Sequence, residues 1–393
     1  MIFNFDENFL TTSKSIFTAT EIHQQPATWL KTLNQIKNEK TAIKAFIENV
    51  IKENDYDIIL TGAGTSEFVG NSVYSYLNRL TGNYRIKSYA TTDLVETPEN
   101  FLDKNKKTLL ISYGRSGNSP ESIGAFDVAN EVLKENVYHL FITCNKDGAL
   151  SKAAINNKHA YAINLTPETH DQSFAMTSSY SNMYLATLLV FNLENLDQIT
   201  ETINTIAKNA DVINNDSFKF ITKIIEDYNF QRIVYLGANS LKGVAQESAL
   251  KMLELTAGQI TTMYDTPLGF RHGPKSIIND DTLTVVYLGD DEYQHKYELD
   301  LIKEMSIQRK GNKILALSNK KYDDLDDLVD YYFSFNSNKA LDNVYIGLNY
   351  IMFAQLIALY KSLSLNITPD NPCPSGEVNR VVKGVTLYPY KSI

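Results

Sequence analysis

Hydroxyl side chains, glycines and one arginine directly follow an apolar strand pattern at residues 109–114. Ser119 followed by Pro120 predicts a helix start, because serine caps helix N-termini and proline suits the first helical position. The free amides and the positive dipole end of such a helix attract anions. An anion there would also meet the polar side chains of this loop, which are Ser112, Arg115, Ser116 and Ser119. The loop therefore predicts a phosphate site, with a serine-rich turn that only caps the helix as the alternative.

A second pair of hydroxyls follows another apolar strand pattern, in the segment Gly62-Ala63-Gly64-Thr65-Ser66-Glu67. A dinucleotide-binding fingerprint would require glycine where Glu67 stands, so a nicotinamide or flavin cofactor is not expected. Thr65 and Ser66 instead add hydroxyls at a helix start. They would lie next to the first loop if the two strands are neighbours. Such a cluster fits a phosphate monoester better than a pyrophosphate.

Candidate acid and base groups lie on a helix predicted over residues 240–257, which Gly258 ends. Glu247, Lys251 and Glu254 are spaced i, i+4 and i+7, so they share one helix face. That face could carry proton-transfer chemistry. A solvated stripe of paired charges is the equally plain alternative.

His272 lies in a loop flanked by glycines and a proline. An imidazole has a pKa near ~6.5 and is the natural proton carrier in a cleft, although a lone loop histidine is more often a polar surface residue. Lys383, ten residues before the last residue of the sequence, says little by itself.

Three strand patterns recur later in the chain. Residues 57–62 match residues 232–237, and residues 110–114 match residues 285–289, both with an offset of 175 (237 − 62). Residues 139–145 match residues 313–319 with an offset one residue shorter. The pattern predicts a tandem duplication. The second copy has Gly289-Asp290-Asp291-Glu292 in place of the serine-rich loop, and these carboxylates would repel a phosphate.

Short apolar strands alternate with amphipathic helices in each copy, which predicts an α/β protein. We expect two tandem doubly wound parallel sheets of flavodoxin-like type, with helices on both faces and ligands outside the carboxyl ends of the strands. The predicted division is a helical segment over 1–50, a first domain over 51–200, a second over 201–365 and an extended tail over 366–393. The predicted helical bridge over residues 193–215 lies near the junction of the two domains.

Composition excludes several functional classes. The formal charge of −9 argues against a nucleic-acid partner, since such binding depends on basic patches. Two cysteines and an N-terminus without a basic and apolar leader indicate a cytoplasmic protein. The apolar stretch over residues 348–359 is too short for a membrane span. Histidine and cysteine spacing gives no support for a metal, and no cofactor is expected.

Taken in order, these motifs resemble the tandem sugar isomerase (SIS) domain family, which includes the isomerase half of glucosamine-6-phosphate synthase. The branch most similar to this chain is galactosamine-6-phosphate deaminase/isomerase, also described as tagatose-6-phosphate ketose/aldose isomerase. The resemblance rests on segments spread along most of the chain: 21–26, 64–66, 114–122, 171–179, 253–254, 271–274 and 382–386.

The resemblance implies roles for the candidate residues. Glu254 would move a proton between carbons 1 and 2 of a sugar phosphate, and His272 would open the ring from a neighbouring subunit of a homo-oligomer, dimer or tetramer. The tail would complete the active site. The phosphate would be held by Thr65, Ser66, Ser116 and Ser119, and the residues near the reacting carbons would be Glu247, Lys251 and Lys383. Gly114 and Arg115 depart from the synthase pattern, which leaves one hydroxyl contact open.

The resemblance leaves the reaction between two forms. The residues before the first strand are too few for a glutaminase domain, so we expect conversion of galactosamine 6-phosphate to tagatose 6-phosphate and ammonia. A plain aldose/ketose isomerase is the alternative. A non-catalytic sugar-phosphate sensor is less favoured, because Glu254, His272 and Lys383 are all present and no basic recognition helix is found.

Overall fold

A computed structural model describes residues 1–51, 56–82, 85–382 and 384–391. The chain forms two compact units, each built around one sheet. The first-sheet unit comprises Ala27–Asp171, Ser178–Glu201 and Ser375–Ile393. The second-sheet unit comprises Met1–Pro26, Gln172–Thr177 and Thr202–Pro374.

Ten strands of the described residues form the two sheets. Those of the first sheet are β1 Tyr56–Gly62, β2 Ile86–Ala90, β3 Lys107–Gly114, β4 Val137–Thr143 and β5 Ala160–Asn164. Those of the second are β6 Arg232–Leu236, β7 Thr261–Asp265, β8 Thr282–Tyr287, β9 Lys313–Ser318 and β10 Tyr331–Ser334.

Fourteen α-helices are present in the described residues. The first nine are α1 Glu7–Thr12, α2 Ile16–His23, α3 Gln25–Ile51, α4 Thr65–Thr81, α5 Thr91–Glu96, α6 Pro120–Leu133, α7 Ala149–Ala153, α8 Ser178–Val190 and α9 Leu196–Val212. The remainder are α10 Phe218–Asp227, α11 Ser240–Leu255, α12 Pro267–Phe270, α13 Glu292–Ile307 and α14 Asn343–Ser364.

Both sheets are parallel and have the same strand order. The first runs β2-β1-β3-β4-β5 and the second runs β7-β6-β8-β9-β10. The strands that the repeated sequence patterns paired, β1 with β6, β3 with β8 and β4 with β9, occupy corresponding places. The predicted fold class, two doubly wound flavodoxin-like sheets, is confirmed.

Helices cover the sheets on both faces. The central strands are therefore buried along nearly their whole length. β1 is buried from its second residue onward, and every residue of β8 is buried. A parallel strand of this kind carries apolar side chains on both faces, each of which needs a covering layer. One core cluster of the first-sheet unit joins Ile59 and Leu110 to α6, and one of the second joins Val234 and Val286 to α13.

The apolar stretch over residues 348–359 belongs to α14, which extends beyond it at both ends. Asn343–Ser364 has 22 residues and is apolar enough to pass a length and composition test for a membrane span. The whole apolar window is nevertheless buried inside the protein. Since α14 packs against α10 and α11, it is a core helix of the second-sheet unit.

The N-terminal helices are divided between the two units. Residues up to Pro26 belong to the second-sheet unit, and those from Ala27 belong to the first-sheet unit. A long-range helix cap joins α2 to the second-sheet unit: Asp370 accepts hydrogen bonds from the Thr18 amide at 2.7 Å and hydroxyl at 2.8 Å. A further boundary between the two units lies between Glu201 and Thr202.

Candidate active site

The two hydroxyl-bearing loops of the first sheet follow neighbouring strands. β1 pairs with β3, with Thr61 opposite Ser112. β2 lies on the outer side of β1 and β4 on the outer side of β3, so the chain leaves this pair in opposite directions. Ligands of doubly wound sheets bind at such a switch point, outside the carboxyl ends of the strands. The predicted adjacency of the two loops is confirmed.

The predicted helix start at Ser119 is also confirmed. Ser119 is the N-cap of α6, and its hydroxyl accepts a hydrogen bond from the Ser122 amide at 3.3 Å, with Pro120 at the first helical position. The Ser119 hydroxyl also contacts the Ser122 hydroxyl at 2.6 Å. Ser116 accepts a hydrogen bond from the Asn118 amide at 3.2 Å through its own hydroxyl. The loop is therefore shaped by its own serines around the helix N-terminus.

Glycines let the other loop turn tightly into α4. A side chain on Gly62 would lie 2.4 Å from the Ser66 carbonyl carbon, so only glycine fits there. Gly64 has a φ of 55°, a conformation that side-chain-bearing residues rarely adopt. Thr65 and Ser66 then begin the helix and are 5% and 6% exposed. Their hydroxyls stand at the helix end that favours anions.

Two further residues predicted for the phosphate site are buried. Ser112 lies in β3, and Arg115 comes directly after that strand. The Arg115 guanidinium donates to the carbonyl oxygen of Arg380 at 2.6 Å. Arg115 thus contacts the C-terminal part of the chain, which sequence reasoning missed. The two residues are 265 positions apart, and no local pattern links them.

The charged face of α11 is a buried ion cluster, so the alternative of a solvated stripe is wrong. The Lys251 ammonium lies 3.3 Å from Glu247 Oε1 and also pairs with Glu254 Oε2. The side chains of Lys251 and Glu247 are fully buried, whereas that of Glu254 is 23% exposed. Burial opposes the charge on Lys251, but the two carboxylates outweigh it and raise its pKa. Lys251 therefore stays protonated, and Glu254 is the member of the cluster that a ligand can reach.

His272 follows α12 in a loop that α13 holds. The Arg271 guanidinium bonds to Asp300 at 2.8 Å and to Glu304 at 2.9 Å, both on α13. His272 itself is exposed, and its ring makes no hydrogen bond with the described residues. The loop is anchored while the imidazole remains accessible. Lys383, the remaining predicted site residue, lies outside the described residues.

The loop after β8 is built differently from its first-sheet counterpart. Asp290 is 7% exposed, and its Oδ2 accepts hydrogen bonds from Asn319 Nδ2 at 2.6 Å and from the Leu341 amide at 2.8 Å. Burial raises the pKa of Asp290. The carboxylate ties neighbouring loops of the second sheet together. Within the described ranges, no group of three or more histidine, cysteine, aspartate or glutamate side chains could hold a metal ion.

Comparisons with known proteins give the class. A family model of the SIS domain matches residues 51–193, which contain the first sheet and both of its hydroxyl-bearing loops. A solved structure from Clostridium novyi NT, provisionally named a tagatose-6-phosphate ketose/aldose isomerase, superposes with a TM-score of 0.96. It is 44% identical and covers 99% of each chain. The tagatose-6-phosphate ketose/aldose isomerase of Escherichia coli has a TM-score of 0.88 at 37% identity, covering 96% of this chain and 97% of that one. The protein has the fold of tandem SIS-domain proteins.

A full-length relative gives the family. The D-galactosamine-6-phosphate deaminase AgaS of Shewanella sp. (strain ANA-3) is 41% identical over 387 residues, which is 97% of this chain and 94% of that protein. The chain belongs to the D-galactosamine-6-phosphate deaminase AgaS family.

Proposed function

We propose that this chain is a deaminating aldose-ketose isomerase that converts galactosamine 6-phosphate and water to tagatose 6-phosphate and ammonia. The observation that carries the proposal is the 41% identity to the Shewanella deaminase over nearly the whole of both chains. The buried Lys251 with its two carboxylates supports it, because proton transfer at carbon needs a positioned carboxylate.

Binding begins at the first sheet in this proposal. The phosphate occupies the switch point, where it meets the N-termini of α4 and α6 and the hydroxyls of Thr65, Ser66, Ser116 and Ser119. Ser112, near the end of β3, completes this set. His272 then protonates the ring oxygen, and the ring opens to the aldehyde. An imidazole suits this step because it carries a proton near neutral pH.

Glu254 acts next. Its carboxylate takes the proton from carbon 2 and returns a proton to carbon 1. The carbon 1 oxygen gains a proton and the nitrogen loses one, so the amino aldehyde becomes a ketimine with a carbon 1 alcohol. Water adds to carbon 2 and the carbon–nitrogen bond breaks, which releases ammonia and leaves the ketose. No oxidant or reductant is needed. Lys383 and Glu247 act near the reacting carbons, as the family resemblance implies.

Lys251 orients the base. Its ammonium lies between the carboxylates of Glu247 and Glu254, and the buried pairing limits the rotamers of both. A carboxylate that acts as a base must be held near the proton that it takes. Lys251 thereby keeps Glu254 in place between turnovers.

The assay that tests the proposal measures ammonia from galactosamine 6-phosphate, glucosamine 6-phosphate and their N-acetyl derivatives. Wild-type protein should release ammonia from galactosamine 6-phosphate. Glu254→Gln should reduce the rate by a factor of about 10² to 10⁴ with little change in phosphate-ligand binding. Glu226→Gln, the same change at an exposed position on α10, is the control. Retention of more than about a tenth of the rate by Glu254→Gln would reject this residue as the base.

Plain aldose-ketose isomerisation is the second candidate, and the name of the E. coli structural relative favours it. It uses the same acid and base on a neutral sugar phosphate. Two results together would select this reaction over deamination: a ketose forms from a sugar phosphate that has no amino group, and no amino-sugar phosphate releases ammonia.

We further propose that the protein is a cytoplasmic homo-oligomer, a dimer or tetramer, in which His272 serves a neighbouring subunit. The exposure of His272 on an anchored loop supports this arrangement. Two inactive variants, Glu254→Gln and His272→Asn, should then restore activity when they are mixed after dissociation. Random pairing of dimers would give roughly a quarter of the wild-type rate. Mixtures that stay inactive would show that each subunit uses its own histidine.

A further inference from the structure

The C-terminal segment, residues 375–382 and 384–391, packs within the first-sheet unit. Its first attachment is Arg380, which makes two contacts. The Arg380 carbonyl oxygen accepts a hydrogen bond from the Arg115 guanidinium at 2.6 Å, and the Arg380 guanidinium donates to the carbonyl oxygen of Asp171. This attachment ties the segment to the loop after β3.

Asp171 is itself held firmly. It is fully buried, and its carboxylate accepts hydrogen bonds from the Ser178 hydroxyl at 2.5 Å and from the Ser179 amide at 2.8 Å. These bonds fix Asp171 at the N-terminus of α8. Arg380 is therefore bound to a rigid part of the unit.

A second attachment lies several residues further along the segment. The Leu387 side chain lies 3.1 Å from the point where a Cβ on Gly124 would stand, beside Val95 at a similar distance from that point. Tyr390 packs against the core cluster that covers the first sheet, and its hydroxyl hydrogen-bonds to Glu99. Leu387 and Tyr390 thus fasten the segment to α5 and α6.

We propose that Arg115 is a positioning residue for the C-terminal segment and not a ligand of the phosphate, with Leu387 and Tyr390 holding the other end of the same segment. The proposal rests on the proposed function, in which Lys383 acts near the reacting carbons. In sequence, Lys383 lies between the two attachments.

Two attachments limit the segment more than one does. A chain bound at one end samples a large volume, whereas binding both ends removes most of that freedom before substrate arrives. Groups held close to their working geometry react faster than groups that must find it in each turnover. Loss of either attachment should therefore affect the same step. A phosphate ligand would affect phosphate affinity instead.

The test compares Arg115→Met with Leu387→Ala, one variant at each attachment. Three quantities are measured: the rate of trypsin cleavage after Arg380 and Lys383, kcat, and competitive inhibition by inorganic phosphate. Both variants should speed cleavage about tenfold and lower kcat about tenfold, as expected from losing one hydrogen bond to a charged group or part of a packed leucine. Inhibition by phosphate should stay within about twofold of wild type in both, because neither attachment binds phosphate directly.

Tyr388→Ala is the matched control, since Tyr388 belongs to the same segment and is 82% exposed. It should change none of the three quantities. A tenfold loss of phosphate inhibition in Arg115→Met with normal cleavage would make Arg115 a phosphate ligand and overturn the proposal. Normal kcat and cleavage in Leu387→Ala would overturn it equally.

If Arg115→Met does not fold, Arg115→Gln replaces it with the same measurements and the same deciding outcomes. Trypsin cleavage requires no turnover. A wild-type protein that releases no ammonia would therefore contradict the proposed function, while cleavage still reports on the attachments.

Discussion

The loops after β3 and β8 occupy the same place in two sheets of identical strand order, but the first carries neutral hydroxyls and the second carries carboxylates. The first loop places Ser116 and Ser119 at a helix N-terminus. The second places Asp291 at the N-cap of α13 and buries Asp290 against neighbouring loops. The same backbone arrangement favours an added anion in one sheet and already holds carboxylates in the other. Strand order alone therefore does not make a phosphate site.

The helices after β1 and β6 differ in a related way. α4 begins with the hydroxyls of Thr65 and Ser66, whereas α11 buries Glu247 and Lys251 further along. The positions of α4 that correspond to Glu247 and Lys251 hold Ser72 and Tyr76, which are neutral. In the proposed function, one copy provides hydroxyls for binding and the other provides charged groups for proton transfer.

The largest expected effect comes from breaking the buried charge cluster of α11, whose counterparts on α4, Ser72 and Tyr76, are neutral. Lys251→Met leaves two carboxylates beside each other, one of them fully buried, without a cation. Removing one partner of a buried ion pair costs about 3–5 kcal/mol, so the free energy of unfolding should fall by that amount. Denaturant unfolding of the variant checks the value. The double variant Glu247→Gln with Lys251→Met should recover part of the loss, and a single-variant loss below about 1 kcal/mol would contradict the buried cluster.

An exchange of residues between the two loops gives the next largest effect. Ser116 and Asp291 each stand two residues after the matched glycines Gly114 and Gly289. Ser116→Asp therefore introduces the residue of the second loop into the first. Repulsion between a carboxylate and a phosphate about 4 Å away reaches about 4 kcal/mol at an effective dielectric of 20, so kcat/KM should fall by at least about a hundredfold. The reverse exchange, Asp291→Ser, keeps a capping side chain and should change kcat/KM less than about twofold. Similar losses in both variants would mean that the loops do not differ in function.

The two sheets should also differ in how much they contribute to the loss of unfolding free energy at acidic pH. His139 in β4 is buried, and burial, with a smaller contribution from His159, lowers its pKa to about 3. β9 contains no histidine. The unfolded chain takes up a proton near pH ~6.5 and the folded chain does not, so this contribution is complete above that pH and is lost as pH falls toward 3. The loss at pH 5 should be about 2 kcal/mol.

His139→Gln should remove that part of the pH dependence, measured as unfolding free energy between pH 7 and pH 5. His159→Gln, at a partly exposed position, is the control and should retain it. An unchanged slope in His139→Gln would assign the acid sensitivity to other groups.

The smallest effect concerns the residue before each helix. Gly64 has φ 55° and ψ −125°, and Asn239 in the second copy has φ 55° and ψ −126°. Only glycine adopts this region without strain. In other residues the strain costs about 1–3 kcal/mol. Asn239→Gly should therefore stabilise the protein by about 1 kcal/mol, and Gly64→Ala should destabilise it by a similar amount. The melting temperatures of the two variants should move in opposite directions.

Local patterns predicted most of the fold. The recurring apolar strands predicted two equivalent sheets, and Ser119-Pro120 predicted the start of α6, because strand burial and helix capping depend on neighbouring residues. The sequence predicted that the hydroxyls of the two loops lie next to each other if their strands are neighbours, and the pairing of β1 with β3 meets that condition.

Contacts between distant parts of the chain were not predictable. The burial of Glu247 and Lys251 depends on the packing of α14 over α11, and charge spacing alone is the same for a solvated and a buried face. The contact of Arg115 with Arg380 and the capping of α2 by Asp370 join residues hundreds of positions apart. No periodicity in the sequence indicates such pairs.

The cap that Asp370 provides has a consequence for the order of folding during synthesis. Residues up to Pro26 leave the ribosome first, yet Thr18 finds its hydrogen-bond acceptor only when residue 370 has been made. The second-sheet unit therefore cannot acquire its full set of contacts on a partial chain, whereas domains with contiguous sequence fold as they emerge. Until residue 370 has been made, the residues of α2 that are buried in the folded protein lack part of their packing and capping partners.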